Sequence, residues 1–493
     1  PSAIDFAILQ VDWSFIGIYM SVPVFILLVA AVLLLIAGLA LLYRRSPKSP
    51  VQPRRSIVTI CILLLSVALL PELPLAAGFA GNAYTDVITL TERYGFVYTF
   101  SRSLIDVGID RPEDYSARRI HAIAEDVLRT ETKTPEVTPN IIFLQLESFF
   151  DVNHLEGVTF SEDPVPYFRA LKENGPSGFF TAPSVGAGTA NTEFEVMTQM
   201  NVHDFGTGEY PYKTILQDTT CESIAYNLKE LGLSTHVLHN NTATFYDRDK
   251  VFSKLGFDSF TSIEYMNDVE YNEIGWAKDS ILTGEILDLL DSTASRDLIY
   301  TISVQPHGAY PTDSESDGIR VISGIEDEAL RSEMEYYATQ LQEVDDFLRA
   351  LTAALEALDE PTVLVVYGDH MPSLEIEESK LDSGNLYTTE YAVWANFPLE
   401  AEDKDVKAYQ LASHVLEMLG INNGTLTKFH QMNAWSGAYE TELRTLQYDM
   451  LYGDRVVYGG ENPFEETDMR FGTRDVVLHR AAVRGDTLTA YGE

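Results

Sequence analysis

The chain has 493 residues, 45% of them hydrophobic, so it has room for more than one structural unit and for a sizeable core. Its 34 basic and 74 acidic side chains give a formal net charge of −40, which excludes nucleic-acid binding through a basic surface. Cys61 and Cys221 lie in segments of different character, which argues against an intramolecular disulfide and against a cysteine metal cluster.

Residues 13–43 carry no charge and contain the run LLVAAVLLLIAGLALL. This stretch exceeds the roughly 20 apolar residues that cross a bilayer. It also exceeds the apolar core of about 7–15 residues in a secretory signal peptide. A transmembrane helix is expected. A second run, SIVTICILLLSVALLP (56–71), is shorter and meets Glu72. It spans if its ends continue through LPLAAGFAG or dip into the headgroups. The loop 44–55 carries Arg44, Arg45, Lys48, Arg54 and Arg55 and no acid, so the positive-inside rule makes it cytoplasmic. Residues 1–80 are therefore expected to be a two-helix transmembrane segment, the end of a larger membrane domain. Everything beyond lies outside the cell.

Residues 81–137 mix both charge signs in helical patterns and are expected to form a connector. From 138 to 431, short apolar runs alternate with helical patterns. IIFLQL (141–146) ends at Glu147, and THVL (235–238) ends at His239. IYTISV (299–304) runs on through Gln305 and Pro306 to His307. VLVVY (363–367) ends at Gly368, Asp369 and His370. Unbroken apolar runs rich in β-branched residues predict strands buried on both faces. Helices are predicted over 221–232, 280–291 and 328–358. The last places Met334, Tyr337, Leu341, Val344 and Leu348 on one face. The alternation predicts an α/β fold, a mostly parallel sheet flanked by helices. Beyond 432, LQYDMLYGDRVVYG and DVVLHRAAVRGDTLTAYGE read as short strands, giving a small C-terminal β-rich subdomain over 432–493.

Ligands of such sheets bind outside the carboxyl ends of the strands. The four runs thus aim Glu147, His239, His307, Asp369 and His370 at one crevice. A turn at Gly368 lets Asp369 and His370 converge, and a carboxylate beside an imidazole suits a divalent metal. Taken singly, each also reads as a solvated strand end. In SVGAGTANTEFEVMTQM (184–200), Gly186 and Gly188 give a flexible approach to Thr189. Asn191 or Thr192 is placed to cap the following helix, whose N-terminus favours an anion. A threonine hydroxyl is a weak nucleophile until its proton is removed, which metal coordination achieves. Alone, the segment reads equally as an N-cap loop.

Taken together, NIIFLQLESFFD, GTANTEFE, FYDRDKVFSKLGF, SVQPHGAYP and VVYGDHMPSL resemble the lipoteichoic acid synthases over about residues 80–440. These are membrane phosphoglycerol transferases of the sulfatase/alkaline phosphatase superfamily. The resemblance implies that Thr189 is the nucleophile and, with Glu147, Asp369 and His370, a metal ligand. It implies Mn²⁺, with Mg²⁺ and Zn²⁺ also compatible with three oxygens and one imidazole. It assigns His239, Tyr246, Arg248 and His307 to the phosphate and glycerol groups, and the forked donors of Arg248 suit phosphate. Tyr246 stands where the synthases often carry tryptophan, and Gly188 where they often carry lysine. The implied reaction moves glycerol phosphate from phosphatidylglycerol through a Thr189 intermediate. The acceptor is a hydroxyl of a glycerol phosphate polymer or glycolipid at the membrane, and no nucleic acid takes part. The alternatives are a phosphoethanolamine transferase or other phosphotransferase or hydrolase of the same fold, and a non-catalytic membrane-anchored relative.

Overall fold

The computed structural model describes residues 22–46, 53–69, 87–133, 135–313, 318–399, 402–473, 478–484 and 487–492. The chain divides into two compact units. One comprises Pro1–Gly108 with His203–Lys213, the other Ile109–Val202 with Thr214–Glu493.

In the first unit the helix Val22–Arg45 is long and apolar enough to cross a membrane, and it closes on Arg44 and Arg45. Its apolar side chains face outward, with Leu27 and Leu34 more than two-thirds exposed. The expected second span is the helix Pro53–Leu69, of 17 residues. At about 1.5 Å per residue it falls short of the roughly 30 Å hydrocarbon layer. Its expected continuation past residue 69, residues 13–21 and residues 47–52 of the loop lie outside the described residues. The helices Val87–Tyr94 and Phe96–Ile105 come next.

The second unit opens with the helix Ala117–Arg129. It is capped by Ser116, which accepts from the Arg119 backbone, and it buries Ile120, Ile123, Ala124 and Val127. The strands are β1 (Asn140–Leu146), β2 (Thr159–Phe160), β3 (Ser177–Thr181), β4 (Ser234–His239), β5 (Ser259–Ser262), β6 (Asp297–Ile302), β7 (Val321–Ser323), β8 (Thr362–Gly368), β9 (Thr388–Ala395), β10 (Val406–Lys407), β11 (Arg470–Phe471), β12 (Leu478–Arg484) and β13 (Thr487–Gly492). Nine of them form one sheet in the order β10-β3-β9-β8-β1-β6-β4-β5-β11. Only the pairs made by β9 are antiparallel, so the sheet is mostly parallel, as expected. β1, β6 and β8 are buried at every position, which explains their unbroken apolar sequences. The helix Glu328–Glu356 starts at Asp327, whose side chain accepts from the Leu330 backbone. It buries the predicted stripe of Met334, Tyr337, Leu341, Val344 and Leu348, which continues through Leu351 and Leu355.

The C-terminal part differs from expectation. LQYDML belongs to the helix Tyr439–Leu451, and VVY is a single 3-10 turn. The helix buries Leu443, Leu446 and Met450, a period of three to four that outweighs the local strand preference of tyrosine and valine. Among the described residues of this part, strand structure is confined to β11, which extends the sheet edge beside β5, and to the hairpin β12-β13.

Candidate active site

The four strands that carry the acids and imidazoles are consecutive in the sheet, in the order β8-β1-β6-β4. β1 and β8 run parallel with Leu146 opposite Gly368, so Glu147 and Asp369 emerge side by side. The Asp369 backbone N–H donates to Leu146 O at 3.0 Å. Glycine is required at 368, because a Cβ there would lie 2.0 Å from the carbonyl oxygen of Phe149. After Glu147 the chain turns sharply, and Ser148 takes a left-handed φ of 49°. That turn aims the Ser148 N–H at Asp369 Oδ1, 2.7 Å away, and its hydroxyl at Glu147 Oε1, 2.8 Å away. Tyr337 from the long helix holds the turn by donating to Ser148 O at 2.6 Å.

Thr189 enters from a loop. Gly188, at φ 100°, forms the N-cap, and the helix Thr189–Thr198 begins directly at Thr189. The helix was expected to be capped by Asn191 or Thr192. Thr192 instead lies inside it and donates to Asp369 O at 2.8 Å, tying the helix to the end of β8. Thr189 Oγ1 donates to Glu147 Oε2 at 3.1 Å and lies 3.5 Å from His370 Nε2. The Nδ1–H of His370 donates to Met371 O at 2.9 Å, which leaves the Nε2 lone pair facing the carboxylates. Nε2 is 3.4 Å from Asp369 Oδ2 and 3.7 Å from Glu147 Oε1. Glu147, Thr189, Asp369 and His370 are all buried.

Burial, and then the charge of Glu147, hold the Asp369 carboxyl well above the usual carboxylate range. Asp369 Oδ2 is buried and takes no hydrogen bond of ordinary geometry. One ligand atom each from Glu147, Asp369 and His370 lie within 4.8 Å of one another. Two crowded buried carboxylates, an orphaned oxygen and an inward-facing imidazole lone pair fit a divalent cation, with Thr189 beside it. A second group, Asp151, His154 and Glu390, has similar spacing. Arg169 and Lys172 already pair with its acids, so it is a structural ion network.

His239, Tyr246 and Arg248 come together. Arg248 is fully buried, donates to Glu193 from Nε and Nη2, and donates from Nη1 to His239 Nε2 at 3.1 Å. The Tyr246 ring lies 5.3 Å from its Cζ. Tyr246 and Asp247 have φ of 60° and 57°, a bend that delivers Arg248 at the start of the helix Arg248–Lys254. His307 is half-buried, its ring 4.5 Å from that of Trp276. Ser148, Glu193 and Trp276 went unmarked in the sequence. Glu193 stands four residues beyond Thr189 in a predicted helix, a spacing that places it on the same face.

A model of the sulfatase family matches residues 139–421, more than half of the chain. The chain is 30% identical over 287 residues to a Rhizobium meliloti protein named for cyclic β-1,2-glucan modification, covering 58% of this chain and 44% of that one. It is 25% identical over 243 residues to the lipoteichoic acid synthase of Staphylococcus saprophyticus, covering 47% of this chain and 35% of that one. The chain thus spans less than half the length of these curated relatives. Among solved structures, the Streptococcus pyogenes phosphoglycerol transferase GacH, in complex with sn-glycerol-1-phosphate, superposes with a TM-score of 0.64 at 22% identity. That match covers 73% of this chain and 100% of the other, and it shows a common fold.

Proposed function

The chain belongs to the sulfatase family, and from that premise we propose that it is a membrane-anchored, metal-dependent phosphoglycerol transferase with Thr189 as nucleophile. Its donor is phosphatidylglycerol, and its acceptor is a hydroxyl of a glycerol phosphate polymer or glycolipid. The observation that carries this reading is the Thr189 hydroxyl, buried at a helix start and donating to Glu147 Oε2 at 3.1 Å. The neighbouring phosphoglycerol transferase and the lipoteichoic acid synthase relative support the substrate class. The apolar helix Val22–Arg45 supports a lipid donor, since it would hold the chain at a bilayer.

Divalent cations at such sites neutralise phosphoryl oxygens and make a coordinated hydroxyl more acidic, and Mn²⁺ is the ion we assign. Glu147 accepts the Thr189 hydrogen, so the lone pairs of Oγ1 point away from it toward an incoming phosphorus. A bond forms between Thr189 Oγ1 and phosphorus. The bond from phosphorus to the diacylglycerol oxygen breaks, and that oxygen leaves with the proton given up by Thr189. An acceptor hydroxyl then bonds to phosphorus, the Thr189 oxygen leaves, and the acceptor's proton returns to it. The helix N-terminus at Thr189 favours the phosphate charge throughout. His239, Arg248, Tyr246 and His307 are assigned to phosphate and glycerol binding.

Purified protein given labelled phosphatidylglycerol is expected to release diacylglycerol with Mn²⁺ and not without it. Thr189→Ala is expected to lower the rate about a thousandfold or more. Absence of metal-dependent release by the unmutated protein would sink the proposal. A second reading, in which a glucan hydroxyl is the acceptor, is favoured by the 30% identical relative. Label found in added cyclic glucan, and not in a glycerol phosphate polymer, would select it.

A further inference from the structure

We propose that Glu193 is a positioning residue that makes the pocket selective for phosphodiester monoanions over phosphomonoester dianions, an inference that rests on Thr189 being the nucleophile. Glu193 lies four residues after Thr189 in the helix Thr189–Thr198, so both side chains project from one face. Glu193 is 0% and Arg248 1% exposed. Arg248 Nε donates to both Glu193 oxygens, at 3.2 and 3.1 Å, and Nη2 donates to Oε1 as well. Nη1 donates to His239 Nε2. His239 is fixed as the acceptor because its Nδ1–H donates to Ile302 O at 2.9 Å. Burial and the Arg248 charge keep this imidazole neutral, its pKa well below the usual histidine range. The guanidinium is therefore set in place by a charged partner and a neutral one, under the Tyr246 ring.

Glu193 shares the Thr189 face of its helix, and its partner Arg248 is the side chain assigned to the phosphate. Position 188, directly before the nucleophile, is glycine and contributes no cation. The carboxylates of Glu147, Asp369 and Glu193 stand with the guanidinium of Arg248, and a divalent cation brings the sum of these groups to neutrality. A phosphodiester adds one negative charge to such a pocket. A phosphomonoester dianion adds a second, facing Glu193 across a guanidinium already committed to it. One charge a few ångströms away in a buried site changes binding by about tenfold or more.

Titration calorimetry of the Mn²⁺-loaded full chain in detergent at about pH 8 tests this with two probes. Glycerol phosphate is a dianion there, and glycerophosphoglycerol is a monoanion. Glu193→Gln is expected to tighten glycerol phosphate by about tenfold and to change the diester by less than about threefold. A damaged fold weakens both probes, so selective tightening is a signature that a merely structural role does not give. Glu193→Asp keeps the charge but falls short of the fork. It is expected to leave the ratio of the two affinities within about threefold while kcat on phosphatidylglycerol falls. Unchanged or weakened monoester binding in folded Glu193→Gln overturns the proposal. So does a tenfold shift of the ratio in Glu193→Asp, which decides alone if Glu193→Gln does not fold. Loss of diacylglycerol release on Thr189→Ala is scored separately. Its failure would overturn the nucleophile assignment and leave the binding ratio standing as its own result.

Discussion

Glu147 and Asp369 leave β1 and β8 side by side into a site that water barely reaches. Burial and Glu147 hold the Asp369 carboxyl above its usual range, so without a cation a proton is retained there. Asp369→Asn should therefore act in opposite directions in two states. In chelator, the variant needs no proton taken up on folding and keeps an oxygen for the Ser148 N–H. Its amide nitrogen replaces the orphaned Oδ2, 3.4 Å from the His370 Nε2 lone pair. A gain of about 1–2 kcal/mol over the parent is expected. With Mn²⁺, the parent should rise in Tm by mass action while the variant barely responds. Paired thermal melts in chelator and in Mn²⁺ check this, and a variant less stable than the parent in chelator would count against the charge argument.

At the scale of elements, the site depends on how β8 ends and on how the nucleophile helix is held at both ends. Gly368→Ala would place its Cβ 2.0 Å from Phe149 O and 3.3 Å from Thr389 Cβ, so the turn that follows Glu147 must shift away from the end of β8 that delivers Asp369. A loss of about 2–4 kcal/mol in urea unfolding is expected, with activity falling further than stability. At its far end the helix Thr189–Thr198 closes on Gln199, whose carbonyl accepts from His430 Nε2 at 2.8 Å. Tyr439 donates to His430 Nδ1 at 2.7 Å. Burial lowers the His430 pKa from 6.5 to about 4, slightly offset by the Gln199 bond. Between those values the unfolded chain binds a proton that the folded chain refuses, so stability is full above about 6.5 and falls as pH drops toward about 4. His430→Gln should flatten that slope by about one proton in denaturation curves taken across the window. The four strands around the site are legible in the sequence because burial on both faces leaves an uninterrupted apolar run. Glu147, Asp369 and His370 are legible from their positions just past the ends of such runs. The consecutive order of the strands in the sheet is not, since it arises from pairings between segments far apart in the chain. Ser148 and Glu193 are hidden for a related reason. A serine after a glutamate, or an acid within a helix, becomes meaningful only when Asp369 or Arg248 arrives from elsewhere. In the tail, tyrosine and valine favour strands locally, while the buried spacing of Leu443, Leu446 and Met450 is helical, and the burial prevails.

For the whole molecule, the formal charge of −40 sets the approach of an anionic lipid against the pocket that is proposed to receive it. At about 0.01 M salt the Debye length is roughly 30 Å, so the protein's field reaches well into solution, and at about 0.15 M it shrinks to about 8 Å. A basic enzyme would draw anionic substrate in at low salt and lose that help as salt rises. Here the sign is reversed. Raising the salt should lower the KM for phosphatidylglycerol in neutral mixed micelles several-fold, because long-range repulsion is screened. The kcat should stay nearly constant, because Glu147, Thr189 and Asp369 are buried and their short-range interactions are screened far less. Initial rates across a lipid series at about 10 and 150 mM NaCl separate the two parameters. A KM that rose with salt would count against control of substrate approach by the global charge.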